Sequence, residues 1–212
     1  MSFIVRPFER KDIEEVAQVH HDSYHNVSKA YRAELLQYYP LEKFQKNWSS
    51  FAENANGKHA LLATDGGNIV GLIRYATNPH PDVTDWTWND ARKVETYRKM
   101  LDQGIVGQLH QFYVKPEYSR RNIGSILSVN ALAEMGQTNK YAMVERNKDN
   151  HVSESFQRNR LLAKDIATFQ DHDLSKGEWG SPTEVYSTSI LSLLAIDQTY
   201  DFLVKYLKEN AR

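Results

Sequence analysis

Residues 107–135 of the chain have the sequence GQLHQFYVKPEYSRRNIGSILSVNALAEM, and two regular elements meet in this stretch. The first half predicts a buried strand, because it is rich in apolar and aromatic residues and ends at Pro116, which cannot donate a ladder hydrogen bond. The apolar positions of this strand are Leu109, Phe112, Tyr113 and Val114. The second half predicts a helix, because its apolar residues recur at helical spacing. They are Ile123, Ile126, Leu127, Val129, Leu132 and Met135.

Between the strand and the helix lies a short basic turn, residues 119–124, with the sequence SRRNIG. A strand that turns into a helix directs several backbone N–H groups to one place, and the helix dipole adds about half a positive charge there. Asn122 and Gly124 are residue types that tolerate a positive φ and the close approach of a ligand. The turn therefore predicts an anion site, and an ordinary connection with two solvated arginines is the alternative that the residues alone leave open.

The composition of the chain excludes several classes of function. It has 212 residues, which suits one domain (1–212), and a net charge of −1 from 26 basic and 27 acidic residues. This balance favours neither nucleic acid nor an anionic membrane as a partner. The absence of cysteine excludes disulfides and thiolate chemistry, and the spacing of the histidines predicts no metal site. Without a signal peptide or a long apolar run, the chain is expected to be cytoplasmic.

The run YVKPEYSRRNIGSIL, residues 113–127, resembles the acyl-CoA binding motif of the GNAT superfamily of N-acetyltransferases. Val114 and Pro116 match the end of the family's strand, and Gly124 matches the end of its phosphate turn. The sequence departs from the pattern at two positions, with Ser119 where Gln or Arg is usual and Asn122 where Gly is usual. Asn is the mildest replacement for a glycine at positive φ, and Ser119 leaves the backbone donors in place.

This resemblance implies an α/β (α+β) fold with a mixed, mostly antiparallel seven-stranded sheet and helices on both faces. A β-hairpin is predicted over residues 60–75, because Asp65, Gly66, Gly67 and Asn68 supply the positive-φ positions of a tight turn. Two parts exceed the family's minimal fold. They are an insertion at residues 78–104 with its own helix, and a C-terminal amphipathic helix at residues 196–211.

The resemblance also implies acetyl-CoA as the acetyl donor. The backbone of residues 120–125 would hold the pyrophosphate, the strand end would lie along the pantetheine, and a neighbouring segment would touch the cofactor. The predicted cofactor-binding residues are Phe112, Tyr113, Val114, Arg120, Arg121, Asn122, Ile123, Gly124, Ser125, Asn150 and Ser153.

The predicted catalytic residues are His110, Gln108 and Gln157. An amine must be neutral before it attacks a thioester, and His110 is the one residue of its strand whose type titrates near neutrality. It is therefore the predicted general base, with Gln108 on the same strand face; the alternative is a histidine packed between sheet and helix. Gln157 occupies the position of the family's proton-donating tyrosine but cannot donate a proton. Glu145 and His151 are secondary candidates, and Tyr186 is a conceivable proton donor.

The predicted function is transfer of the acetyl group of acetyl-CoA to a primary amine of a small molecule or peptide, by direct attack in a ternary complex. One alternative is a catalytically degenerate protein that binds CoA or an effector. Another is an interaction module built on the insertion and the C-terminal helix. A homodimer also stays open, because dimers are common in the family.

Overall fold

The computed structural model describes residues 3–31, 40–77, 87–148, 150–171 and 187–210. The strands are β1 (Ile4–Pro7), β2 (Lys58–Asp65), β3 (Asn68–Ala76), β4 (Thr87–Trp88), β5 (Val106–Val114), β6 (Tyr141–Asn147), β7 (Lys164–Asp171) and β8 (Ser187–Ala195). The helices are α1 (Ile13–Tyr31), α2 (Leu41–Glu53), α3 (Val94–Asp102), α4 (Ile123–Met135), α5 (His151–Asn159) and α6 (Ile196–Glu209). Short 3₁₀ turns occur at Arg10–Asp12, Ala91–Lys93 and Pro116–Tyr118.

The chain divides into two compact units, Met1–Tyr75 with Gln111–Ala131 and Ala76–His110 with Leu132–Arg212. Strands follow the order β1-β2-β3-β5 in the first unit, and β1 pairs antiparallel with β2. The β2–β3 hairpin is confirmed, and its turn uses Gly66 and Gly67 at φ 58° and 91°. Helices α1 and α2 pack on this sheet through a core whose largest member is Trp48, which is fully buried.

Helix α4 begins very close to strand β3 in the first unit, at Gly71. A Cβ added to Gly71 would lie 2.9 Å from Cγ2 of Ile123 and 3.0 Å from the backbone oxygen of Tyr113. Any side chain at this position would therefore displace the first residue of the helix or the neighbouring strand. The close approach fixes where α4 starts.

In the second unit the strand order is β5-β6-β8-β7-β4. Strand β5 pairs in parallel with β6, so that Val106 lies opposite Tyr141, whereas β6, β8, β7 and β4 pair antiparallel. Gly107 lies under the methyl end of Met135, where a Cβ would clash. The core of this unit contains Val106, Met143, Ile166, Ala167 and Leu191.

The structure confirms the mixed, mostly antiparallel sheet and adds an eighth strand within the described residues. That strand, β4, belongs to the 78–104 insertion and pairs with β7 at its edge. The helix of the insertion and the C-terminal helix both form, as α3 and α6. Among the predicted features, Tyr186 and residues 78–86 lie outside the described residues.

Candidate functional site

Strand β5 leads into α4 through a turn that hydrogen bonds hold closely. The N–H of Lys115 donates to the oxygen of Val70 at 2.9 Å, and the N–H of Ser119 donates to the oxygen of Pro116 at 3.0 Å. The N–H of Ile126 donates to the oxygen of Asn122 at 2.9 Å, so the hydrogen bonding of α4 starts from Asn122. The turn therefore has a defined backbone path from the strand to the helix.

Two residues of this turn have left-handed backbone conformations, Arg120 at φ 60° and Asn122 at φ 61°. Where left-handed residues alternate with right-handed ones, successive backbone N–H groups point to the same side and form a concave anion site. The first-turn N–H groups of α4, from Ile123 to Ser125, lack acceptors within a helix and carry its positive dipole end. The turn and the start of α4 thus combine two backbone features that favour an anion.

Of the two residue types that tolerate a positive φ, Asn122 adopts one, whereas Gly124 lies in α4. The second left-handed position belongs instead to Arg120. Sequence reasoning missed it because arginine carries no preference for this conformation, which costs an L-residue about 1–2 kcal/mol. Such strain persists where the surrounding structure fixes the backbone.

The arginines of the turn are exposed, and one of them is oriented by an aromatic ring. The guanidinium carbon of Arg121 lies 4.9 Å from the ring centre of Tyr118, and this ring meets Phe3 edge-on at 6.4 Å. The cation–π contact holds the guanidinium of Arg121 near the turn. Together with the left-handed backbone, these charges fit a diphosphate such as that of CoA.

The end of strand β5 is anchored through its side chains. The ring of Tyr113 packs on His20 with 4.1 Å between the ring centres, and the backbone oxygen of Val114 accepts a hydrogen bond from Ser23 at 3.4 Å. Phe112 is partly buried. These contacts tie the end of strand β5 to helix α1.

His110 is exposed, whereas its neighbour Leu109 is fully buried and Gln108 is partly buried. The alternative in which His110 is packed between sheet and helix is therefore wrong. The alternation follows from the pleat of the strand, which turns consecutive side chains to opposite faces.

The other predicted site residues lie around helix α5. Oδ1 of Asn150 accepts a hydrogen bond from the N–H of Ser153 at 3.0 Å and caps the helix. Gln157 is buried; its Nε2 donates to the oxygen of Glu145 at 3.0 Å and to Oγ of Ser153 at 3.2 Å. Its Oε1 accepts from Arg146 at 3.2 Å. The structure thus gives each of these three side chains a partner within the second unit.

Arg146 and Asp165 form a two-point ion pair that sequence reasoning missed. Nη1 and Nη2 of the fully buried Arg146 side chain donate to Oδ1 and Oδ2 of Asp165 at 2.9 and 3.0 Å. Ser192 donates to the same carboxylate at 2.6 Å, and Arg158 donates at 2.7 Å. The hydrogen bonds from Arg146 are the main reason that the pKa of Asp165 lies well below its usual value. Arg146 stands between Glu145 and Asn147 at the polar end of strand β6, so nothing in the sequence signals that it is buried.

The described parts of the chain contain no group of three or more His, Asp or Glu side chains that could hold a metal ion. Within the same residues, none of the helices combines the length and the apolar character that crossing a bilayer requires.

Comparison with known families places the chain among acetyltransferases. The model of the Acetyltransferase (GNAT) family matches residues 18–159. Among solved structures, one similar protein is the PaiA N-acetyltransferase from Thermoplasma acidophilum in complex with coenzyme A. Its sequence is 16% identical, and the two structures superpose with a TM-score of 0.59 over 89% of this chain and 98% of the PaiA chain. The ribosomal-protein-S18-alanine N-acetyltransferase from Escherichia coli is also similar, with 12% sequence identity and a TM-score of 0.58. The match covers 92% of this chain and 94% of the Escherichia coli chain. No curated protein sequence gives a significant match.

Proposed function

The chain belongs to the acetyltransferase (GNAT) family, and from this premise we propose that it transfers the acetyl group of acetyl-CoA to a primary amine by direct attack in a ternary complex. The observation that carries the proposal is the pair of left-handed residues, Arg120 and Asn122, just before the N-terminus of α4. Strained backbone at a basic helix N-terminus is well suited to a diphosphate. Acetyl-CoA, the donor of this family, has one.

We assign the cofactor contacts to the turn and the strand before it. The N–H groups of residues 120–125 donate to the pyrophosphate, and Arg120 and Arg121 add charge. The backbone of Phe112–Val114 lies along the pantetheine. The thioester of acetyl-CoA supplies an activated acetyl group, and the residues of the chain orient it and exclude water.

We assign proton removal from the amine to His110. An aliphatic amine has a pKa of about 10, so at neutral pH it is almost entirely protonated and not nucleophilic. His110 accepts the proton, directly or through a water molecule, and Gln108 assists by hydrogen bonding on the same strand face. The exposure of His110 supports this role, because a base must reach both its substrate and bulk water.

We assign positioning roles to Gln157, Asn150 and Ser153. The amide of Gln157 cannot act as a proton donor, and its hydrogen bonds to Arg146 and Ser153 hold strand β6 and helix α5 together. Asn150 caps the helix through Ser153. Protonation of the departing thiolate is left to water or to a group other than Gln157.

A thiol-release assay with acetyl-CoA and a panel of amines tests the proposal. The panel includes small amines, polyamines, amino acids and peptides; a similar structure from Escherichia coli, which acts on a ribosomal-protein alanine, supports including peptide N-termini. We expect amine-dependent thiol release and an N-acetylated product detected by mass spectrometry. Thermal stabilisation by acetyl-CoA without release for any amine would instead indicate the degenerate CoA-binding protein.

A further inference from the structure

Arg74 is the one charged residue of strand β3, whose other members are mainly apolar. Its side chain is partly buried against two aromatic rings of helix α2. The guanidinium carbon lies 4.5 Å from the ring centre of Phe51 and 5.1 Å from that of Trp48. Both rings are buried, so they hold the flat face of the guanidinium in a fixed position.

The hydrogen-bond partners of Arg74 are neutral amides. Nη1 donates to Oδ1 of Asn47 at 3.0 Å and to Oε1 of Gln111 at 3.1 Å. Nε is enclosed and has no hydrogen-bond partner, and Nη2 bonds to no described residue. Among the described residues, no carboxylate lies within ion-pair distance of this guanidinium, whereas the other enclosed arginine, Arg146, has Asp165.

A partly buried arginine that none of the described carboxylates pairs with is unusual. Burial lowers the pKa of Arg74, yet an arginine side chain stays charged at any physiological pH. Buried charges are normally paired, because desolvating an unpaired charge is unfavourable. The amide oxygens of Asn47 and Gln111 carry only partial charge. An anionic ligand would supply the missing counter-charge.

The surroundings favour a carboxylate over a phosphate. Among the described residues they provide a single guanidinium, whose charge matches one carboxylate, and a flat donor group that suits the two carboxylate oxygens. A phosphate would bring more charge than one arginine neutralises. The diphosphate of the donor already has its own proposed site, at Arg120 and Arg121.

We propose that Arg74 binds a carboxylate of the amine acceptor, and that the acceptor is therefore an amino acid or a short peptide rather than a polyamine. Gln111, which holds the guanidinium, directly precedes Phe112, the first residue of the strand segment proposed to lie along the pantetheine. The inference rests on the proposed acetyl transfer, because it names the acceptor of that reaction. The positive charge of Arg74 also disfavours acceptors that carry several cationic groups.

The test compares Arg74→Met with Arg10→Met. Methionine preserves apolar volume against Trp48 and Phe51 and removes the charge. Arg10 belongs to the same unit, is exposed, and meets Glu53 only at 3.7 Å, so its replacement controls for loss of an arginine. The probes are phenylalanine and Gly-Phe, their C-terminal amides, and spermidine, with acetyl-CoA as the donor.

We expect the wild-type protein and Arg10→Met to prefer each acid over its amide by about tenfold or more in kcat/KM, as for one charge-assisted contact. Arg74→Met should lose this preference while keeping its KM for acetyl-CoA and its melting temperature. Retained stability separates a ligand-binding role from a structural one, because a structural arginine would lower the melting temperature when it is replaced.

Any of three results would overturn the proposal. The wild-type protein could use acids and amides equally, it could turn over spermidine alone, or Arg74→Met could keep the wild-type preference for acids. If no amine supports turnover, the proposed reaction fails, and binding of N-acetylphenylalanine decides the carboxylate site separately. Thermal stabilisation by this acid that disappears in Arg74→Met would support the site. If N-acetylphenylalanine does not stabilise the wild-type protein, the carboxylate site is ruled out.

Discussion

Nε1 of Trp48 donates a hydrogen bond to Nδ1 of His20 across 3.2 Å, and both side chains are buried. Nδ1 must therefore carry a lone pair, so the imidazole is neutral with its proton on Nε2. Burial lowers the pKa of His20 to about 3, and the positive charge of Arg74 contributes to the shift. Helices α1 and α2 are thus joined by a hydrogen bond that protonation of His20 would break.

This pairing predicts an acid-sensitive fold. Between the unfolded pKa of about 6.5 and the folded value of about 3, the unfolded state binds more protons at His20 than the folded state. Stability should therefore be complete above pH 6.5 and should fall toward pH 3, by on the order of 1 kcal/mol per pH unit. Urea unfolding at a series of pH values measures this slope.

The variant His20→Gln provides the comparison, because glutamine does not titrate and its oxygen can still accept from Trp48. We expect the variant to be less stable than the wild-type protein at neutral pH and to have a flatter pH dependence over the same window. Parallel curves for the two proteins would contradict the assignment of the slope to His20.

Charge reversal in the basic turn should weaken binding of the donor. We expect Arg120→Glu and Arg121→Glu each to raise the KM for acetyl-CoA by about tenfold, because each replaces a charge-assisted contact by repulsion. Increasing salt should reduce the difference, since exposed charges are screened. Arg10→Glu removes an exposed arginine of the same unit and should leave this KM unchanged. Equal KM values in all three variants would exclude the turn as the pyrophosphate site.

The sequence predicted the parts of the fold that depend on neighbouring residues. The glycines of the β2–β3 turn and the helical spacing of α4 are short-range signals, so the hairpin and the strand–turn–helix unit could be located in advance. The ion pair of Arg146 and Asp165 could not be predicted, because the two residues lie on β6 and β7. These strands do not pair with each other in the described structure; each of them pairs with β8. Such a pairing depends on strand order and register, which short-range patterns do not encode.

The candidate site was predictable to a similar extent. The basic turn follows from residue type, whereas the sequence left open whether His110 is packed or exposed. The left-handed backbone at Arg120 does not follow from residue type, since arginine has no preference for this conformation. Arg74 was missed because nothing near it in sequence indicates that Gln111 and Asn47 surround it.

The left-handed conformation of Asn122 predicts which side chains position 122 tolerates. Asn122→Val should destabilise the protein by about 1–2 kcal/mol and raise the KM for acetyl-CoA, because a β-branched residue strongly disfavours φ 61°. Asn122→Gly should retain both properties, since glycine adopts this conformation without a steric penalty. Urea unfolding and steady-state kinetics measure the two effects. If Val and Gly behave alike at this position, the backbone conformation has no part in donor binding.

The proposed base, His110, should control the acidic limb of the pH–rate profile. Protonation removes the acceptor lone pair, so kcat/KM of the wild-type enzyme should fall as the pH decreases through the titration of the free enzyme's base. We expect His110→Ala to lower kcat by about 10²-fold or more and to remove this limb, because the amine must then lose its proton to water or hydroxide. The exposed position of His110 predicts little change in melting temperature or in the KM for acetyl-CoA. His110→Gln, which keeps a polar side chain but no titrating group, should resemble His110→Ala. An unchanged rate and pH profile in both variants would assign the base to another residue.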